Sequence, residues 1–220
     1  NSRFDRWFKT KIIEFGAIQE KIAKMAMDTY VGESATYRAS KDIEDRIEIL
    51  KSDGKNHQEA ELRGVEEYAI ECSILKVAVS EDAQNCADQG IQIFGGMGFS
   101  ADTPMESAWR DARIGRIYEG TNEINRMLSV GMLLKKSLKG ELDLMGVVMK
   151  LAEETKEGKV SKSENSESIL NEELTILKNL KNVFLIIAGS AFQKYGSEFQ
   201  KHQQSLLGLS DMLIEIYFGR

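Results

Sequence analysis

Proline is almost absent from this chain: its 220 residues include one, Pro104. Proline breaks helix interiors, so its scarcity leaves long uninterrupted helices open. Cysteine is nearly as rare. Cys72 and Cys86 both fall inside apolar helical patterns and read as small buried thiols of a reducing compartment, not as a disulfide framework. Positive charge is outweighed, with a net charge of -6, which argues against nucleic acid as a partner, since that calls for a basic patch. No secretory leader is visible. No apolar run approaches the ~20 residues that span a bilayer, and membrane association is not expected. His57 and His202 lie among polar residues without the partner spacing of a metal site. What remains is 42% hydrophobic and 29% charged, the balance of a soluble protein with a core. Asn1 is no natural start, and the opening residues already show helical periodicity. The chain is therefore expected to be a piece of a longer protein.

Phe4, Phe8, Ile12, Phe15, Ile18, Ile22 and Met25 recur at spacings of three and four, the stripe of one amphipathic helix running to about Ser40. Ser52 to Asn56 reads as a turn. A second stripe, Leu62, Val65, Ala69, Cys72, Val79, Ala83 and Cys86, ends near Gly90, a plausible helix stop. Thr103-Pro104 suits a helix start, with Thr103 as cap. Thr121 or Asn122 can cap the next helix, which carries Ile124, Met127, Leu128 and Leu134. After Gly140 the composition changes, and Glu153 to Ser168 is rich in Glu, Lys and Ser, as linkers are. Periodicity returns from Leu170 to Ile187 and from Leu206 to Ile216. No segment alternates as strands do. The expectation is an all-α protein: an antiparallel bundle of long helices over 1–140, a linker over 141–167 and a smaller helical unit over 168–220.

Chemistry-bearing residues concentrate between Gln92 and Arg126. Gly95, Gly96 and Gly98 follow an apolar helix. Such a run either makes a tight helix-to-helix turn or lets backbone N–H groups approach a ligand closely. Trp109-Arg110-Asp111-Ala112-Arg113 places Arg110 and Arg113 on one helix face, which suits a solvated charged face or an Arg–Asp pair. Tyr118-Glu119-Gly120-Thr121 sets a carboxylate between an aromatic and a glycine at a helix entrance. Apolar neighbours can raise a carboxylate toward base strength, though a negative charge also suits a helix N-terminus for purely structural reasons.

These segments, Gln92-Ile93-Phe94-Gly95-Gly96-Met97-Gly98-Phe99, Arg110-Asp111 and Tyr118-Glu119-Gly120-Thr121-Asn122-Glu123-Ile124, in this order and spacing, resemble the C-terminal domain of the acyl-CoA dehydrogenase family. Phe15 to Lys21 adds to the match, which covers roughly residues 4–140. The resemblance implies FAD-dependent desaturation of acyl-CoA thioesters in fatty-acid β-oxidation. Glu119 would remove the α-proton while the β-hydrogen leaves as hydride to the flavin, and the Glu119 N–H would help polarise the thioester oxygen. It also implies FAD contacts for Gln92, Ile93, Phe94, Gly95 and Gly96, reaching a neighbouring subunit's cofactor, and for Thr121, Asn122 and Glu123. Gly120 would face the acyl-CoA. The family's arginine for the FAD pyrophosphate stands three residues before a phenylalanine. Here Asp5 holds that place before Phe8, and Arg3 or Arg6 beside it is the candidate. The helical tail is similar to that of the very-long-chain branch, which implies a homodimer. An electron-transferring flavoprotein would be the acceptor, in the cytoplasm of a bacterium or the mitochondrial matrix. The alternatives are an acyl-CoA oxidase of the same superfamily or a non-catalytic helical scaffold. The piece alone is expected to be inactive, because much of the flavin site would lie upstream.

Overall fold

The structure, a computed structural model, describes residues 10–156 and 169–219. Among them the chain forms nine α-helices, two short 3-10 turns and no regular strand. The helices are α1 (Gly16–Ser52), α2 (His57–Glu67), α3 (Ala69–Phe94), α4 (Gly96–Phe99), α5 (Pro104–Ile114), α6 (Asn122–Leu138), α7 (Leu144–Lys156), α8 (Asn171–Tyr195) and α9 (Gln203–Phe218). The all-α expectation holds. The residues fall into two compact units, one of 1–68 with 75–122, the other of 69–74 with 123–220.

In the first unit, α1 and α2 make a hairpin. The turn between them carries Gly54 at φ +87°, and Asn56 Oδ1 accepts the Glu59 N–H at 2.9 Å as the cap of α2. Arg46 and Glu67 pair across the two helices at 2.6 Å, which fixes them antiparallel. Lys21 bonds Gln89 and the Cys86 thiol faces the Met25 carbonyl at 3.9 Å, so α1 and α3 are antiparallel as well. Ala39, Leu50, Ala60, Val77 and Ala78 are buried.

Several local expectations change. The first helix begins at Gly16, because Ile12–Glu14 forms a 3-10 turn and Phe15 is extended at φ -78°, ψ 128°; Phe4 and Phe8 lie outside the described residues. It continues twelve residues past Ser40, to Ser52, where the apolar stripe thins but Arg38–Asp42 and Lys41–Asp45 pair at i,i+4, a spacing that supports exposed helix. The second stripe is two helices, broken at Tyr68 (φ -98°, ψ 19°). Gly90 does not stop α3. It is buried inside the helix, where an added Cβ would stand 2.2 Å from Met105 Cε, so the glycine serves the close packing of α5. Thr103 precedes α5, but its hydroxyl donates to the Met97 carbonyl at 2.6 Å instead of capping.

The second unit has its own core of Val130, Phe184, Ala188, Phe199, Leu206 and Leu209, from α6, α8, the 3-10 turn Gly196–Lys201 and α9. Buried Ser129 and Ser210 share a hydrogen bond at 3.1 Å, and Arg126 pairs with Asp211 at 2.7 Å. The 141–167 linker expectation meets a helix, α7, over 144–156. Leu144, Val147, Val148 and Leu151 give it an apolar face, and Val148 lies against Gly189 of α8; residues 157–168 lie outside the described residues. The division also falls at Asn122/Glu123 and not near 140, because α6 packs with the helices that follow it.

By length and composition alone α8 would pass for a membrane-crossing helix, though it supplies Phe184 and Ala188 to the core of the second unit. Lys178 and Lys181 interrupt its apolar run, which hid it from a search for unbroken stretches. The thiols differ from expectation too: Cys72 is exposed and Cys86 half-buried. Burial pushes the Cys86 thiol up from its ordinary value. His202 stacks on the Tyr195 ring at 3.8 Å, while His57 is exposed and faces Glu61 at 3.1 Å.

Candidate active site

The chain leaves α5 through a tightening turn. The N–H groups of Ile117 and Tyr118 both donate to the Ile114 carbonyl, at 2.9 and 3.2 Å. Glu119 then takes φ +55° and Gly120 φ +82°. The Asn122 N–H closes the loop on the Arg116 carbonyl at 3.1 Å, and α6 begins. Among the described residues Glu119 is the one non-glycine with positive φ. Such a conformation costs about 1–3 kcal/mol and persists only where its surroundings dictate it. Gly120 can follow it into positive φ because it has no Cβ. The Glu119 side chain is exposed.

What dictates the turn is a polar cluster on α3. Lys76 Nζ donates to the Gly120 carbonyl and to Asn122 Oδ1, both at 2.7 Å. Asn122 is 1% exposed. Its Nδ2 donates to Ser80 Oγ and Glu81 Oε1 at 3.0 Å each, and toward the Val77 carbonyl at 3.4 Å. Arg116, at the other end of the loop, faces Glu81 at 3.6 Å. Sequence reading missed Lys76, Ser80 and Glu81. The available signal was three polar residues at i, i+4 and i+5 interrupting the apolar stripe of α3.

The second candidate segment closes α3. Gly95 takes φ +62°, ψ -149°, a region that side chains avoid. Its N–H donates to the Gln92 carbonyl at 3.2 Å. A Cβ built on Gly95 or Gly96 meets nothing within 4 Å, so the bend is open to an incoming group. Gln92 and Phe94 are exposed and Ile93 half-buried. The glycine run turns the chain between helices: the Gly98 N–H closes on the Gly95 carbonyl at 2.7 Å, while Gly95 and Gly96 themselves are exposed.

The two segments do not converge. Asn122 docks beside Val77–Glu81 while the bend lies some fourteen residues further along α3, about 20 Å at 1.5 Å per residue. Thr121 is half-buried and Glu123 is exposed on the first turn of α6. The Asn122 side chain, expected at the cofactor, is engaged beneath the turn instead. Arg3 and Arg6 lie outside the described residues. Trp109 Nε1 donates to Asp88 at 3.2 Å, and Arg110 pairs with Glu106 at 3.3 Å on an exposed face.

A helical bundle domain that presents a strained carboxylate and an open glycine bend is the class that fold and site define. Residues 2–133 match the family described as acyl-CoA dehydrogenase, C-terminal domain, and residues 179–219 match a second family of the same description. The chain belongs to the acyl-CoA dehydrogenase family. It is 40% identical over 212 residues to a probable acyl-CoA dehydrogenase of Bacillus subtilis, covering 96% of this chain and 35% of that protein. It is 41% identical over 120 residues to the bovine mitochondrial very long-chain specific acyl-CoA dehydrogenase, covering 54% of this chain and 16% of the relative. The crystal structure of an acyl-CoA dehydrogenase complexed with FAD from Bacillus anthracis superposes with a TM-score of 0.89 at 39% identity, over 99% of this chain and 36% of that one. The chain thus spans about a third of the length of the two Bacillus relatives and about a sixth of the bovine one.

Proposed function

We propose that this chain is the base-bearing C-terminal part of an FAD-dependent acyl-CoA dehydrogenase, with Glu119 removing the substrate's α-proton. The observation that carries the reading is the exposed carboxylate held in a left-handed turn against a glycine. Such strain is kept where geometry matters for function. Family membership and the FAD complex of the Bacillus anthracis relative support the cofactor.

The residues fit that cofactor. The unobstructed backbone at Gly95–Gly96 and the exposed Gln92 and Phe94 offer a surface for its dinucleotide end. Thr121 and Glu123, two and four residues after the base, are proposed to touch the cofactor as well. Bound FAD would supply the acceptor for the β-hydrogen. In this reading Glu119 accepts the α-proton on its carboxylate, and its backbone N–H donates to the thioester oxygen as that oxygen gains enolate charge. Gly120 leaves room for the acyl chain beside the base. We assign the bend to the FAD of a neighbouring subunit, and hence propose a homodimer, on the family resemblance; the ~20 Å along α3 between the Val77–Glu81 anchor and the bend is compatible with that assignment. An electron-transferring flavoprotein is the acceptor we propose, in a cytoplasmic or mitochondrial-matrix setting, a reading supported by bacterial and mitochondrial relatives.

The test is Glu119→Gln in the full-length protein, mixed anaerobically with a panel of acyl-CoAs. Flavin bleaching should slow by about 10²–10⁴-fold, the usual contribution of a placed base, while flavin content stays at the wild-type level. Wild-type rates in the variant would remove Glu119 from the role.

A further inference from the structure

Lys76 is the cation under the turn that bears Glu119, and no part of the reaction above uses it. It stands half-buried on α3. Its ammonium meets two acceptors from the turn, the Gly120 carbonyl and Asn122 Oδ1, each at 2.7 Å. Ammonium hydrogens are donors only, so this contact also sets which way the Asn122 amide faces. With Oδ1 on the cation, Nδ2 is left to Ser80 Oγ, the Val77 carbonyl and the Glu81 carboxylate, all able to accept. A flipped amide would set N–H against ammonium and oxygen against carboxylate. Lysine and carboxylate on neighbouring turns of α3 thus hold the buried amide in one orientation.

The consequence falls on the base. Gly120 is the most freely rotating residue of the loop, and its carbonyl is the atom that moves if the 120–121 peptide turns over. Tying that carbonyl to Lys76 holds the peptide, and with it the direction from which Glu119 projects. At the loop's other end Arg116 is tethered to the same Glu81, at 3.6 Å. We propose that Lys76 is a positioning residue for the base: its ammonium, bridging Gly120 O and Asn122 Oδ1, keeps the left-handed Glu119–Gly120 step in the geometry that aims the carboxylate. This rests on the assignment of Glu119 as base.

The experiment uses full-length holoenzyme carrying Lys76→Met, which keeps an unbranched side chain one atom shorter and removes the donors, and Lys76→Arg, which keeps charge and donors. Rapid mixing with acyl-CoA gives the rate constant of flavin reduction and, from its concentration dependence, the substrate dissociation constant. Misaiming a group by about 1 Å can cost on the order of 100-fold. Lys76→Met is therefore expected to slow reduction by about 10–100-fold, with the dissociation constant changed less than about threefold, and Lys76→Arg is expected to recover most of the loss. A crystal structure of Lys76→Met should show Glu119 or Gly120 departed from positive φ. Unchanged reduction in Lys76→Met overturns the proposal. So does a positive φ retained at both residues, or equal loss of folding and flavin in the Met and Arg variants, which would make Lys76 a stability residue only. If wild-type enzyme were reduced by no acyl-CoA, the functional reading would fail on its own, while the variant's backbone would still report on what Lys76 holds.

Discussion

At the scale of single residues, Glu119 shows a tension between stability and geometry. Its φ of +55° carries a steric cost that glycine would not incur. Glu119→Gly should therefore raise the free energy of unfolding by about 0.5–1 kcal/mol, less than the full strain because glycine also loosens the unfolded chain. Urea denaturation of this chain measures it, and a drop would mean that the side chain's own contacts outweigh the strain. The same substitution removes the proposed base, so a gain in stability would come with a loss of flavin reduction. How much of this was legible in the sequence depends on distance along the chain. Tyr118-Glu119-Gly120 is contiguous, and an acidic residue before glycine at a helix mouth is visible as a pattern. Lys76 lies 44 positions from its Gly120 partner, and nothing in local spacing tells a lysine that reaches a carbonyl from one that reaches solvent. Asn122 was read as a helix cap or a cofactor contact for the same reason: sequence gives its place at the helix start, not the helix beneath it.

At the scale of elements, the helices were readable wherever an apolar stripe was strong, and their ends were not. Helix ends depend on hydrogen bonds made by one or two side chains. Asn56 does cap α2, while Thr103, of an equally suitable type, spends its hydroxyl on Met97. Asn56→Ala should thus destabilise the α1–α2 hairpin by about 1 kcal/mol, within the usual 0.5–2 range for a lost cap, seen as a lower urea midpoint with an unchanged slope. An unaltered midpoint would show that the Arg46–Glu67 tether and the buried Leu50 and Ala60 suffice to close the hairpin. Gly90 teaches the opposite lesson. It looked like a stop because glycine costs a helix about 1 kcal/mol, yet packing against Met105 overrides that cost, and a packing partner fifteen residues downstream is not written into a local pattern.

At the scale of the whole molecule, composition and contact disagree about where the chain divides. The Glu-, Lys- and Ser-rich stretch draws attention to residues beyond 140, but α6 already shares its core with α8 and α9. Phe184 is 4% exposed at the heart of that core. Phe184→Ala is expected to cost about 3–5 kcal/mol, read as a fall in thermal or chemical stability, and a loss under 1 kcal/mol would mean that α8 contributes little to holding the second unit together. The long α3 has a consequence of a different kind. It carries the anchor beneath the proposed base at Lys76–Glu81 and, about fourteen residues on, the glycine bend. A rigid helix acts as a gauge: removing one residue between these points would draw the bend back by about 1.5 Å and swing it through about 100°. Point changes along that stretch can be absorbed one side chain at a time, but a change in its length would put the two proposed binding surfaces out of phase at once.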